Sequence, residues 1–223
     1  MKRTALKTAS RLLLLVAALY APATAVMADE YWDQKTSLFE LLPVGENDIV
    51  FLGNSITDGG EFHELFGMDN IKNRGIRSDL ITGVEKRIGQ ITAGRPKKIF
   101  LLIGINDISH GHTAETLGAR YTRLVKKIRE ESPQTRLYLQ SVMPVNNSLK
   151  RYKNLQGKEK TIRALNAIIE KTASENGAVY VDLWPFLADR NGNLNLDLTN
   201  DGLHLNGRGY RVWTKGIEDL VRE

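Results

Sequence analysis

Apolar residues along this chain follow two rhythms. Short apolar runs at 49–53, 71–73, 99–103, 136–141 and 179–183 predict five strands. Those at 99–103 and 179–181 hold almost no polar residue, as expected of strands covered on both faces. Between the runs, apolar residues recur every three or four positions, which predicts helices. Ser78 is the expected cap of a helix bearing Val84, Ile88 and Ile91. Thr113 caps another with Leu117, Tyr121, Leu124 and Ile128 on one side. A third carries Ile162, Leu165 and Ile169. Asn206 opens a last one striped with Tyr210, Trp213, Ile217 and Leu220, whose aromatics are read as core. Strands alternating with helices predict a mostly parallel sheet with helices on both faces. No repeat or low-complexity linker divides the chain, and the polar, Lys-rich stretch 147–160 is read as a solvated loop.

The amino-terminal end changes how composition is read. Lys2, Arg3, Lys7 and Arg11 flank an apolar run at 12–19, and Val26 and Ala28 precede Asp29. That is the layout of a secretory signal peptide over 1–28, leaving one domain at 29–223. Arg11 and Pro22 bracket too short a stretch to span a bilayer, so no stable membrane insertion is expected after cleavage. The leader holds four basic residues and no acidic one, so the formal charge of +5 falls to +1 without it. Nucleic-acid binding thereby loses its main support. The absence of cysteine excludes disulfides, a thiolate nucleophile and thiolate metal ligands. The expected destination is the periplasm or the exterior of a bacterial cell.

In a doubly wound sheet, sites gather at the carboxyl ends of the strands. Gly53-Asn54-Ser55-Ile56-Thr57 follows the first predicted strand, where Ser55 either caps a turn or stands exposed as a nucleophile. Thr57 occupies the place of the second glycine of a G-x-S-x-G elbow, so that motif is excluded. After the second strand, Gly75 is either a turn glycine or one that lets its N–H approach a substrate oxygen. After the third, Asn106-Asp107 is either an Asx-turn or a source of an amide donor to an oxyanion. Asp201 lies three residues before His204, so its carboxylate can reach Nδ1 and leave Nε2 facing a serine. His110 and His112 stand near Asp107, but no second cluster completes a metal site.

In order and content these blocks, G-N-S-I-T, then Gly75, then G-I-N-D, then D-G-L-H, closely resemble those of the SGNH (GDSL-like) hydrolases. Within that family, platelet-activating-factor acetylhydrolase-like and sialate O-acetylesterase-like members look most similar. The resemblance implies a three-layer α/β/α, flavodoxin-like domain with a five-stranded sheet. It implies Ser55 as nucleophile, His204 as base oriented by Asp201, and oxyanion donors from Ser55 N–H, Gly75 N–H and the Asn106 side chain. No cofactor is implied. Asn54 stands where many members have Asp. Substrate contacts are expected from Asn54, Asp107 and the segment Met143, Pro144, Val145 and Asn146 after the fourth strand. The implied activity is hydrolysis of short acyl esters, O-acetyl groups on carbohydrates foremost. The alternatives are a lysophospholipase and a non-catalytic carbohydrate-binding protein on the same fold.

Overall fold

The computed structural model describes residues 23–223, with side chains from Glu30 onward. Most of the expected leader lies outside the described residues, and helix α1 (Ala23–Glu40) runs across the expected cut before Asp29. Among the described residues no helix is long and apolar enough to cross a membrane.

The strands are β1 (Ile49–Gly53), β2 (Ile71–Gly75), β3 (Lys98–Leu102), β4 (Arg136–Gln140) and β5 (Val179–Val181). They pair in the order β2-β1-β3-β4-β5, every pair parallel. Helices α2 (Ser55–Asp58) and α3 (Phe62–Phe66) follow β1, and α4 (Ile81–Arg87) and α5 (Gly89–Thr92) follow β2. After β3 come α6 (Ile105–Ser109) and α7 (Ala114–Glu131), and after β4 comes α8 (Glu159–Glu175). The chain ends with α9 (Trp184–Leu187), α10 (Gly207–Gly216) and α11 (Glu218–Arg222). Helices α4, α7 and α8 pack on one another as one layer, and α3, α9 and α10 form another. All of β1 and β3 is buried between them, which is why their sequences lack polar alternation. The α/β/α sandwich is the one expected.

Phe51, Phe100 and Tyr138 stand in register on neighbouring strands, with ring centroids 5.0 and 4.3 Å apart. Phe62 stacks on Phe51 at 4.0 Å, and Trp213 meets Phe62 edge-on at 5.1 Å. The buried indole N–H of Trp213 donates to Gln140 at 2.8 Å, so its polar end is satisfied inside the core. Thr113 and Asn206 cap α7 and α10 through their side chains, as expected. Ser78 caps nothing. Helix α4 starts only after Leu80, and Ser78 holds a left-handed φ of 61°. Ile88 and Ile91 are buried, but α5 is a separate short helix that follows α4.

One buried ion pair ties the strand ends together. Arg87 and Asp79 meet at 2.8 Å with side chains 0% and 1% exposed. Arg87 Nη2 also donates to the Gly53 carbonyl at 3.2 Å and the Arg74 carbonyl at 2.9 Å. Replacing Arg87 by Leu should leave a buried carboxylate unpaired and lower unfolding free energy by roughly 3–5 kcal/mol. Urea denaturation measures this, and a loss below about 1 kcal/mol would contradict the buried-pair account.

Candidate active site

The position of Ser55 is set by the crossing from β1 into α2. At Gly53 a Cβ would lie 2.3 Å from the Leu102 carbonyl and from Thr57 Oγ1, so close packing, and not an unusual φ, requires the glycine there. Asn54 is 1% exposed and accepts the Ile56 N–H at 3.0 Å, which caps α2. Ser55 is then the first helical residue. Tyr210 of α10 donates to the Ile56 carbonyl at 2.7 Å and pins this turn against the opposite layer.

His204 comes from the turn before α10. Ser55 Oγ lies 3.0 Å from His204 Nε2, and His204 Nδ1 lies 2.8 Å from Asp201 Oδ2. A proton on Nδ1 facing the carboxylate leaves Nε2 as an acceptor for the serine hydroxyl. Asp201 Oδ1 accepts the N–H groups of Leu203 at 2.9 Å and His204 at 2.8 Å. Gly202 adopts a φ of 88°, and a Cβ there would sit 2.3 Å from the Asn146 carbonyl. Burial works against the ionised Asp201, but bonds from His204, Tyr152 and the two N–H groups outweigh it and hold the carboxyl below the usual range.

The sequence reading missed Tyr152. Its hydroxyl donates to Asp201 Oδ2 at 2.7 Å and lies 3.1 Å from His204 Nδ1. A tyrosine in a Lys-rich stretch carries no signal for such a contact. The stretch is therefore more than a solvated loop.

Asn106, at the start of α6, donates through Nδ2 to the Asp79 carbonyl at 3.0 Å, which leaves its second amide hydrogen for the cavity. Gly75 is not there. Its N–H donates to Asn73 Oδ1 at 2.8 Å, and a Cβ on it would lie 2.1 Å from the Asp58 nitrogen. It is glycine because β2 passes hard against α2. Gly75 does not line the cavity, where Ser78 stands with Ser55 and Asn106. The left-handed φ of Ser78 is the detectable mark, uncommon and strained for a residue with a Cβ.

The cavity holds about 540 Å³. Ser55, Ser78, Asn106 and His204 share it with Ser109 and Leu203, and residues 151–155 form the far wall. Arg77, Arg151 and Lys153 make it cationic. The other expected substrate contacts are elsewhere. Asn54 is the buried cap, and Asp107 is 0% exposed, accepts the Ile81 N–H at 3.2 Å and is pushed by burial up to about 6. Met143, Pro144, Val145 and Asn146 are buried. Of these, Asn146 supports the turn before α10, where its N–H donates to the Gly202 carbonyl at 2.7 Å. The one acid and histidine group close enough to share a metal ion among the described residues is Glu61, His63 and Glu64, exposed on and beside α3, away from the cavity.

A serine, a histidine and a buttressing carboxylate at the strand ends of a parallel sheet define the arrangement of a serine hydrolase. The model of the GDSL-like lipase/acylhydrolase family matches residues 51–212, and the chain belongs to that family. Platelet-activating factor acetylhydrolase IB subunit alpha1 of Homo sapiens is 29% identical over 185 residues, covering 79% of this chain and 76% of that protein. A solved structure from Streptococcus pneumonia named for platelet activating factor superposes with a TM-score of 0.82. It is 28% identical and covers 92% of this chain and 99% of its own. An acetylxylan esterase from Geobacillus stearothermophilus, 16% identical, shares the fold at a TM-score of 0.64 over 79% of this chain and 94% of its own. The protein is a carboxylic ester hydrolase.

Ser78→Gly should relieve the left-handed strain and raise stability by about 1 kcal/mol while keeping turnover. Gly75→Ala should lower stability, because its Cβ has no room. Melting curves and esterase rates on both variants check this, and a Ser78→Gly protein that is less stable would count against it.

Proposed function

We propose that the protein hydrolyses short acyl esters, O-acetyl groups on carbohydrates foremost, through an acyl-Ser55 intermediate. The observation carrying this reading is the 3.0 Å contact of Ser55 Oγ with His204 Nε2 at an open cavity, with Asp201 behind the imidazole. His204 takes the hydroxyl proton as Oγ attacks the ester carbonyl, and Asp201 stabilises the resulting imidazolium. The oxyanion meets the N–H groups of Ser55 and Ser78, which no acceptor occupies among the described residues, and the free amide hydrogen of Asn106. The proton on His204 then passes to the departing alcohol. Water, activated by the same base, releases the carboxylic acid and restores Ser55.

A cavity of about 540 Å³ seats a short acyl group, with Leu155, Leu203, the Tyr152 ring and the stems of the cationic side chains giving it a lining more apolar than polar. The acetylhydrolase names of the sequence relatives agree with that size. The lysophospholipid reading draws support from Arg77, Arg151 and Lys153, which suit a phosphate. Export is part of the proposal, supported by the leader pattern at 1–28.

An acyl series of aryl esters separates the two readings. kcat/KM should be highest for acetyl and fall by about tenfold or more at octanoyl, as buried methylenes stop contributing. Rates that rise with chain length, together with turnover of a lysophospholipid, would replace the short-acyl reading with the lipid one.

A further inference from the structure

The carboxylate of Asp201 serves two side chains. Oδ2 receives the imidazole Nδ1–H of His204 at 2.8 Å and the phenol of Tyr152 at 2.7 Å, from the opposite wall of the cavity. The Tyr152 ring stands edge-on to the imidazole, centroids 5.9 Å apart. Burial first, and then the Asp201 carboxylate, raise the phenol above its ordinary range, so it stays protonated and remains a donor. Tyr152 also belongs to the segment whose Arg151, Lys153, Asn154 and Leu155 line the cavity. The stretch that a substrate would touch is thus bonded directly to the carboxylate behind the base.

We propose that Tyr152 is a positioning residue for hydrolysis, fixing Asp201 and, through it, the ring of His204, while sharing the carboxylate with the imidazole. The proposal rests on the reading of Ser55 and His204 as nucleophile and base, and adds to it a link between the substrate wall and the base. Two consequences follow from the shared oxygen. Without the phenol hydroxyl, Asp201 is held less firmly, and alignment of His204 with Ser55 suffers. The carboxylate also gives its charge undivided to the imidazolium, which favours the protonated base. The first lowers turnover, and the second moves the acid limb of the rate profile to higher pH. The groups facing His204 are Asp201 on its own turn, Tyr152, Ser55, and the cations Arg77, Arg151 and Lys153 around the cavity. Tyr152→Phe leaves all but the hydroxyl in place.

The test uses Tyr152→Phe with an acetyl aryl ester, alone and combined with Asp201→Ala. kcat should fall about three- to tenfold, the effect of a hydrogen bond worth about 1 kcal/mol, with KM nearly unchanged. The acid limb of kcat/KM should move to higher pH by a few tenths of a unit. In the Asp201→Ala background the same change should have little effect, because the shared acceptor is gone. An unchanged kcat and acid limb, a change in KM alone, or an equal loss in both backgrounds would overturn the proposal. Ser55→Ala tests the underlying reading separately: if it keeps its turnover, the nucleophile is wrong whatever Tyr152 does.

Discussion

Arg87 and Asp79 form an ion pair sealed from solvent, and three of the loops that build the site hang on it. The guanidinium holds the carbonyls of Gly53 and Arg74, at the ends of β1 and β2. The Asp79 carbonyl receives the amide of Asn106 from the end of β3, and its carboxylate receives the indole N–H of Trp32 from α1. A pair so buried adds little net stability, because desolvation offsets the attraction, yet removing either partner strands a charge. Its value here is geometric. It sets the turn before Ser55, the strained turn at Ser78 and the amide of Asn106 at fixed distances from one another.

The base side is organised differently. Among the described residues no buried ion pair anchors it. The turn carrying Asp201 and His204 is held by bonds to its main chain, with Gly202 pressed against Asn146 and the Thr199 hydroxyl accepting the Gly202 N–H at 2.9 Å. Side chains 27% and 36% exposed leave Asp201 and His204 open to water and substrate. The amide of Asn106 is fixed by the buried pair, whereas His204 is held by hydrogen bonds shared with Asp201 and Tyr152 on the accessible side.

The sheet was legible because β1 and β3 are buried along their whole length, and short apolar runs mark the strands. Ser55 and Asn106 were expected at the cavity because they follow strand ends, and His204 because Asp201 stands three residues before it. What failed was direction. Asn54, Asp107 and the stretch from Met143 to Asn146 also stand at strand ends, but each turns inward to cap, accept or support. That Gly75 lies away from the cavity and Ser78 lines it was hidden for a related reason. A glycine advertises freedom of φ, yet Gly75 is required by a close approach, and the left-handed residue is a serine. Tyr152 was beyond reach, since its contact with Asp201 joins positions 49 residues apart and no local pattern encodes it. Exposed charges around it resembled a solvated loop.

The central claim is that Ser55 is a nucleophile activated by His204. A fluorophosphonate reacts covalently with such a serine, and the modified residue can be located by mass spectrometry of the digested protein. The account predicts a single adduct on Ser55, absent from Ser55→Ala, and formed about a hundredfold or more slowly in His204→Ala, from which the general base is missing. An adduct on a different serine, or labelling of His204→Ala at the rate of the unaltered protein, would contradict it.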